Sequence, residues 1–389
     1  MTKKWSSRLT FFAFVVLMVG LGSNDSLRGI FSTIFQEHFS LTTTQLGLIV
    51  TASYIGNLVF LLVGGNLSTR FSKKRVLQVL ILIWMAALAL FAFTSNYTVL
   101  LIGMALALGS STLLNPTMNL ITPLLFATAP GFFVNFLFFT QEIGTSGSQY
   151  ILGSHADGFA FWQHTNLVLL ILGAVAFVLL LFCNVPEEAA APADAPAQKG
   201  GYDWRIIVPY VLVFGFYFIA EHGVMNWMVA YGVDGLGLPQ ASAAKYLSVF
   251  FGGMMIGRLC LSPLVDKLGA LKSLAAFGGV SCVLYLIGSL GGAVTMPVWA
   301  ISGLSFSILY PTLVMSIRLY FPAQQVSGAA GTILSIASLA DILFNVGFGK
   351  LVDMAGYAVS IRVLPLSVLA FFIVFMLFTK FCKPTQKLK

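Results

Sequence analysis

Apolar segments of about 20 residues recur twelve times along the chain and constrain its fold more than any other feature. Each is long enough to cross about 30 Å of hydrocarbon as an α-helix. Helices are favoured over strands because every backbone polar group inside lipid must be satisfied within its own segment. The predicted membrane helices lie near 9–33, 44–67, 75–95, 97–120, 128–153, 164–184, 205–232, 243–264, 272–290, 294–317, 327–350 and 359–381. The expected fold class is an all-α membrane protein with twelve transmembrane helices.

The composition agrees with a protein that lies in a lipid bilayer. Hydrophobic residues make up 58% of the chain and charged residues 9%, with a mean hydropathy of +0.93. Soluble domains have about 45–50% apolar and about 25% charged residues. A soluble two-domain protein is therefore excluded. The net charge of +8 does not indicate nucleic-acid binding, because the basic residues are unevenly distributed along the chain.

The sequence repeats itself with a period of about 195 residues. Asp25 aligns with Glu221, and Leu113–Thr117 (LLNPT) aligns with Ile308–Thr312 (ILYPT). Self-similarity over such a long period determines the architecture before any local pattern does. We predict two six-helix bundles related by a pseudo-two-fold axis, with domains at 1–184 and 205–389.

The two halves are joined by an Ala/Pro-rich polar segment, 185–204, whose composition predicts a flexible cytoplasmic linker. With the N-terminus inside, sixteen of the twenty-one Lys and Arg residues fall on the cytoplasmic side. This distribution follows the positive-inside rule. We therefore expect a multi-pass protein of the inner (cytoplasmic) membrane with both termini in the cytoplasm. The first apolar segment is not expected to be a signal peptide, because Asp25 and Arg28 lie too deep in it.

Other chemistries have little support in the sequence. The four cysteines and four histidines show no spacing typical of a disulfide framework or a metal site, so no metal and no cofactor are expected. ATP-driven pumping is not indicated, because no G-x-x-x-x-G-K phosphate loop is present. No His, Cys or Ser constellation indicates an enzyme.

Acidic residues inside the apolar segments are the most informative polar feature. Such residues usually face a cavity, pair with another group or carry function, because a charge at mid-bilayer is costly. Burial favours the protonated form of a carboxyl group, which suits one that takes up and releases a proton. The predicted proton-coupling residues are Asp25, Glu142, Glu221 and Asp341.

Each acid also has a structural interpretation. Arg28 follows Asp25 on the same helical face, so the two charges can neutralise one another. Asp341 is placed to hold Asn345 or a neighbouring helix, and Glu221 would be structural if it lay near the membrane interface. Glu142 has no basic neighbour in sequence, which favours a functional role.

Aromatic and amide side chains in the same helices suit a sugar-like polyol, through stacking and neutral hydrogen bonds in a concave site. The predicted substrate-binding residues are Arg28, Gln141, Asn226, Trp227, Tyr310 and Asn345. For each aromatic residue the alternative is packing or contact with lipid.

Two six-helix halves, a cytoplasmic linker and basic loops after helices 2 and 8 resemble the major facilitator superfamily. The superfamily's loop signature, G-x-x-x-D-[RK]-x-G-x-[RK]-[RK], is matched by SPLVDKLGALK at 262–272, which departs at its first residue. The copy at 65–75 lacks the acid and the second glycine. In the family this acid helps to latch the two halves together. The resemblance implies conformational gating by Arg70, Arg75, Asp266 and Lys267, and Arg258 is assigned to the gate with them. Arg258 lies in the cytoplasmic third of its helix, and its other interpretations are a snorkelling interface residue or a substrate ligand.

Within the superfamily, several stretches resemble the fucose-permease branch of proton-coupled sugar symporters. They are Asn24-Asp25, Asn115-Pro116, AEHGVMNWMVAY at 220–231, KYLSVFFGGMMIGRL at 245–259 and ILYPTLVMSI at 308–317. The resemblance implies that Asp25 takes part in proton and sugar handling. The branch's second acid is expected at the position of Ser111. Either coupling differs in this protein, or Glu142 on the adjacent helix has taken over the role.

The expected function is secondary active transport of a small, sugar-like polar solute by alternating access, with proton-coupled symport as the mode. One alternative is an exporter of the same fold that moves drugs, metabolites or lipid-like amphiphiles. Another is a non-transporting membrane sensor, for which a sizeable soluble output domain would be expected. The expected partners are a small-molecule substrate, protons and the lipid bilayer, and the protein is expected to be a monomer.

Overall fold

The computed structural model describes residues 3–126, 130–183, 185 and 202–384. Side chains at 3–4, 62–70, 120, 123, 130–132, 135, 262, 266, 323–324, 327 and 341 lie outside the description. The described residues form α1 (Lys3–Ile30), α2 (Ser32–Phe39), α3 (Thr43–Arg70), α4 (Lys73–Phe93), α5 (Tyr97–Leu125), α6 (Pro130–Ile151), α7 (Phe159–Leu181), α8 (Trp204–Ala230), α9 (Gln240–Leu268), α10 (Ala270–Leu290), α11 (Met296–Ile301), α12 (Gly303–Phe306), α13 (Leu309–Ser316), α14 (Ala323–Ala355), α15 (Tyr357–Ser360) and α16 (Val363–Phe381).

These helices make up the predicted all-α membrane fold. In the described ranges, eleven helical spans are long and apolar enough to cross a membrane, and the span Met296–Leu319 combines α11, α12 and α13. The twelfth crossing is α6, which is not among the eleven because Gln141, Glu142 and Gln149 interrupt its apolar sequence. The predicted fold class, an all-α membrane protein, is confirmed, and the described helices are consistent with twelve membrane crossings.

The chain divides into two compact units, Met1–Ala195 and Pro196–Lys389. This division agrees with a duplicated chain. Most of the predicted linker, 185–204, lies outside the described residues, so its bounds stay a prediction.

The two units repeat the same packing pattern. In the first unit, α1 packs on α6 and α7, α3 packs on α5, and α4 packs on α5 and α7. In the second, α8 packs on α14 and α16, α9 packs on α11 and α12, and α10 packs on the interrupted helix and α16. Each helix of the first unit thus has a counterpart with equivalent neighbours in the second.

Glycines at one helix crossing in each unit repeat with the same period. A Cβ on Gly56 of α3 would lie 2.0 Å from the Ala105 carbonyl oxygen of α5. In the second unit, a Cβ on Gly253 of α9 would lie 3.0 Å from the Leu304 amide nitrogen of α12. Small residues let helices in membranes approach backbone to backbone. The duplication therefore extends to the places where the helices cross.

The contact between α1 and α6 is equally close and carries hydrogen bonds. A Cβ on Gly22 would lie 2.0 Å from the Gln141 carbonyl oxygen, and one on Gly144 would lie 2.2 Å from the Val19 carbonyl oxygen. Ser23 Oγ donates to the Gly144 carbonyl at 3.3 Å, and Thr145 Oγ1 donates to the Gly22 carbonyl at 3.2 Å. These contacts fix the positions of the polar residues of α1 and α6 along the two helix axes.

The two basic loops turn in different ways. Gly269, between α9 and α10, has φ +80°, a backbone conformation that favours glycine. The corresponding residue of the first unit is Ser72, with φ −60° and ψ 140°, and its hydroxyl caps α4 by accepting from the Arg75 amide at 3.4 Å. In the first loop, Ser72 thus occupies the position of the signature's second glycine and serves as the N-cap of α4.

We predict that Gly144→Ala destabilises the protein, since the new methyl group forces α1 and α6 apart at an overpacking cost of about 1–3 kcal/mol. Gly147→Ala is the matched control, because a Cβ at Gly147 meets no atom within 4 Å. The melting temperature of the purified protein in detergent checks this. Equal melting temperatures for the two variants would contradict the close contact.

Candidate functional site

The first unit holds a permanent positive charge beside an acid. Asp25 of α1 is partly buried, and Arg28, three residues further on, is only 6% exposed. The Arg28 guanidinium carbon lies 5.5 Å from the centroid of the Tyr54 ring on α3. A guanidinium stays charged in proteins, and a desolvated cation–π contact contributes about 2 kcal/mol. Of the two predicted residues, Arg28 therefore packs on Tyr54, and Asp25 lies three residues before it on α1.

Helix α6 presents polar residues toward α1. Thr145 faces α1, as its hydrogen bond to Gly22 shows, and Gln141 and Gln149 stand one turn before and one turn after it. Gln149 is fully buried, and neither atom of its amide has a hydrogen-bond partner among the described residues. Glu142 is partly buried on the same side of α6 as Gln149. Leaving a buried polar group unsatisfied costs about 1–3 kcal/mol, so Gln149 is an open donor and acceptor.

A second polar stripe runs along α5. Ser111, Asn115 and Asn119 follow one another at one-turn spacing, and each has a buried oxygen with no hydrogen-bond partner among the described residues. Ser111 occupies the position where the resemblance led us to expect an acid, and it is 1% exposed. The sequence analysis did not propose Ser111 or Asn119 as binding residues. Their i, i+4, i+8 spacing in an apolar segment is the signal that would have found the stripe.

In the second unit, an acid and an arginine flank a group of tyrosines. Glu221 of α8 interacts electrostatically with Tyr217, Tyr310 and Tyr285. Arg258 of α9 is within electrostatic range of Tyr217 and Tyr310. The buried Tyr217 hydroxyl interacts with the Glu221 side chain, although no hydrogen bond of standard geometry joins the two. We call Glu221, Arg258, Tyr217 and Tyr310 the tyrosine cluster.

The tyrosine cluster lies against an interrupted helix. The Tyr217 ring stacks on Phe306 of α12 with centroids 4.9 Å apart, and Tyr310 of α13 lies 5.9 Å from Tyr217. Between α12 and α13 the helix is broken at 307–308. Discontinuous membrane helices are typical of transporter binding sites, because their free backbone groups line a cavity.

Trp227 and Asn345 form a separate pair. Both side chains are fully buried, and the indole Nε1–H donates to Asn345 Oδ1 at 2.9 Å. The Trp227 ring also packs on Phe348 at 4.8 Å. The pair joins α8 to α14, so its polar atoms are occupied in this conformation. Asn226, also predicted for binding, is 2% exposed beside Trp227 on α8.

The predicted gating residues do not form one group. Arg75 is exposed in the first turn of α4, and Lys267 is exposed in the last turn of α9. The side chains of Arg70, Asp266 and Asp341 lie outside the described residues, so their roles stay predictions. Arg258 lies in the tyrosine cluster, away from the loop that it was grouped with. Lys74, which was not predicted, donates to the Cys183 carbonyl at 2.7 Å, after the C-terminus of α7.

A duplicated membrane fold with buried acids and an interrupted helix defines a class of solute transporters. The family model of the Major Facilitator Superfamily matches residues 10–340. The chain belongs to this superfamily and is a multi-pass membrane transporter.

Curated relatives include sugar transporters. The chain is 24% identical over 336 residues to the L-fucose-proton symporter of Escherichia coli (strain K12), covering 74% of this chain and 75% of that protein. It is 27% identical over 344 residues to a glucose/galactose transporter of Brucella abortus biovar 1 (strain 9-941), covering 82% and 81%. The predicted resemblance to the fucose-permease branch is confirmed.

Among solved structures, the fold resembles the crystal structure of a D-xylose-proton symporter. The TM-score is 0.78 at 16% sequence identity, and the match covers 99% of each chain. This similarity shows the shared fold.

We predict that Trp227→Phe lowers the melting temperature, because it leaves the fully buried Asn345 carbonyl without its indole donor, at about 1–3 kcal/mol. Trp204→Phe is the matched control, since Trp204 is 58% exposed. The fraction of monodisperse protein after heating, followed by size-exclusion chromatography, measures both. An equal loss in the two variants would show that the pair does not hold α8 to α14.

Proposed function

We propose that this transporter is a proton-coupled symporter that imports a small, sugar-like polar solute by alternating access. The observation that carries the proposal is that each unit holds an acid and an arginine within its membrane helices. Asp25 and Glu221, which align in the repeat, are both partly buried in membrane helices, and each unit also holds an arginine next to tyrosine rings. The named activities of the fucose and glucose/galactose relatives support the solute class.

The charge change at these acids supplies a physical basis for coupling. An ionised acid together with an arginine leaves a cluster close to neutral, whereas protonation of the acid leaves the arginine's positive charge uncompensated. A carboxyl group that has taken up a proton also becomes a hydrogen-bond donor, which an ionised carboxylate is not. The two protonation states therefore bind a solute with different free energies. Such a difference is what a transport cycle requires in order to couple the solute to the proton.

The solute-binding groups of the proposal are the open polar atoms of each unit. In the first unit these are the α5 stripe and the buried amide of Gln149. In the second unit they are the hydroxyls and rings of the tyrosine cluster. Stacking rings together with a few convergent polar groups are typical of sites for small polar ligands.

Location and assembly also belong to the proposal. The excess of Lys and Arg on one side of the predicted topology supports a cell-membrane protein with both termini in the cytoplasm. We further propose that the transporting species is a monomer.

We expect Asp25→Asn, Glu142→Gln and Glu221→Gln to reduce solute accumulation driven by an inward proton gradient in proteoliposomes. The solute used is the neutral sugar or sugar acid that raises the melting temperature of the wild type most, since ligand binding stabilises the native state. A loss of about tenfold in accumulation corresponds to about 1.4 kcal/mol. Exchange of labelled for unlabelled solute without a gradient should persist, because exchange needs no net proton movement.

Glu37→Gln is the control, because Glu37 is an exposed acid of α2. If all three variants at buried acids accumulated solute as well as Glu37→Gln does, proton coupling through these residues would be wrong. Outward movement of solute under the same gradient would instead identify an exporter.

A further inference from the structure

We infer that the transported solute carries a carboxylate, and that Arg258 binds it together with the hydroxyls of Tyr217 and Tyr310. This inference rests on the proposed function and specifies its solute as a hydroxylated organic acid, such as a sugar acid. The chemistry that points to it is a permanent cation among hydroxyl groups at membrane depth.

The charge of Arg258 carries a desolvation cost that binding of a neutral sugar does not require. Its side chain is partly buried in α9, inside the membrane span Gln240–Leu261. Hydroxyl and amide groups satisfy a neutral sugar without the desolvation cost of a buried charge. The guanidinium, by contrast, offers five N–H donors in a planar fork that matches a carboxylate with two parallel hydrogen bonds.

The hydroxyl groups around Arg258 complete a carboxylate site. Tyr217 and Tyr310 are both within electrostatic range of Arg258. The Tyr217 hydroxyl is buried and interacts with the Glu221 side chain, although no hydrogen bond of standard geometry joins the two. A carboxylate has about four lone-pair positions, so it accepts from the arginine and from both hydroxyls at once.

Glu221 makes occupancy of this site depend on a proton. Glu221 interacts electrostatically with Tyr217 on α8, Tyr285 on α10 and Tyr310 on α13, and Arg258 on α9 interacts with two of these tyrosines, Tyr217 and Tyr310. An ionised Glu221 competes with the solute's carboxylate for Arg258 and also repels that carboxylate. Protonated Glu221 does neither. One proton on Glu221 and one carboxylate on Arg258 therefore enter together with no net charge, and both are released on the other side.

The rings of the cluster account for the hydroxylated part of the solute. Tyr217 is fully buried and stacks on Phe306 and on Tyr310, and the partly exposed ring of Tyr310 lies next to the charged groups. Aromatic faces with a few polar groups suit a sugar-like body, while Arg258 selects its acid group. The site thus favours a hydroxylated acid over a fatty acid.

The experiment compares matched solutes that differ in one acid group. The purified wild type is titrated with D-glucose, D-gluconate and D-glucuronate, and with D-galactose, D-galactonate and D-galacturonate, while its melting temperature is followed. We expect at least one acid to bind about tenfold or more tightly than its parent sugar. Uptake of that acid into proteoliposomes should rise with an inward proton gradient.

Variants of Arg258 test whether this residue binds the acid group of the solute. Arg258→Gln should weaken binding of the preferred acid about tenfold or more and weaken binding of the parent sugar by a clearly smaller factor. Arg258→Lys should recover part of the loss, because it restores the charge without the planar fork. Arg205→Gln, an exposed residue of α8, is the control. The melting temperature of each variant without solute shows whether it is folded.

Three results separate the possibilities. Proton-driven uptake of a neutral sugar, with no preference for any acid, would overturn the carboxylate inference and leave the proposed function intact. An acid preference that survives Arg258→Gln but disappears in Arg28→Gln would overturn the assignment to the tyrosine cluster. If no sugar or sugar acid on the panel were moved by the gradient, the proposed function itself would fail.

Discussion

The cost of holding a charge inside the membrane governs the rest of this structure. Arg28 is 6% exposed and lies over the ring of Tyr54, while Arg258 is within electrostatic range of Tyr217 and Tyr310. Lipid offers no water to such groups, so each is surrounded by acids, aromatic rings and hydroxyls from neighbouring helices. The close helix crossings at Gly22 and Gly56 fix those neighbours in place. Packing in this protein therefore serves to keep its buried charges compensated.

The duplication supplies two similar frameworks whose polar contents differ. In the first unit, the acid and the arginine share α1, and the tyrosine comes from α3. In the second, the acid is on α8 and the arginine is on α9, with tyrosines from α8 and the interrupted helix. The first unit adds a stripe of open polar oxygens on α5, while the second adds stacked rings.

Much of the fold was predictable because the lengths of the apolar segments and the long-period repeat can be read from the sequence. The positions of Asp25 and Glu221 in equivalent helices followed from the repeat alone. The neighbours of each charge were not predictable, because they depend on how helices far apart in sequence are rotated against one another. For this reason the sequence left Arg258 open as a gating residue, an interface residue or a substrate ligand, and the structure brings it within electrostatic range of Tyr217 and Tyr310. The pairing of Trp227 with Asn345, 118 residues apart, is a second contact of this kind.

The most direct test of the account is whether entry of the solute itself moves protons. Proteoliposomes containing the protein and an internal pH-sensitive dye, with equal pH on both sides, are given the sugar or sugar acid that binds most tightly. The account predicts that the interior acidifies as the labelled solute enters, and that Glu221→Gln abolishes the acidification while exchange of labelled solute continues. Entry of the solute with no change in internal pH would contradict the account, because the buried acids would then carry no proton across the membrane.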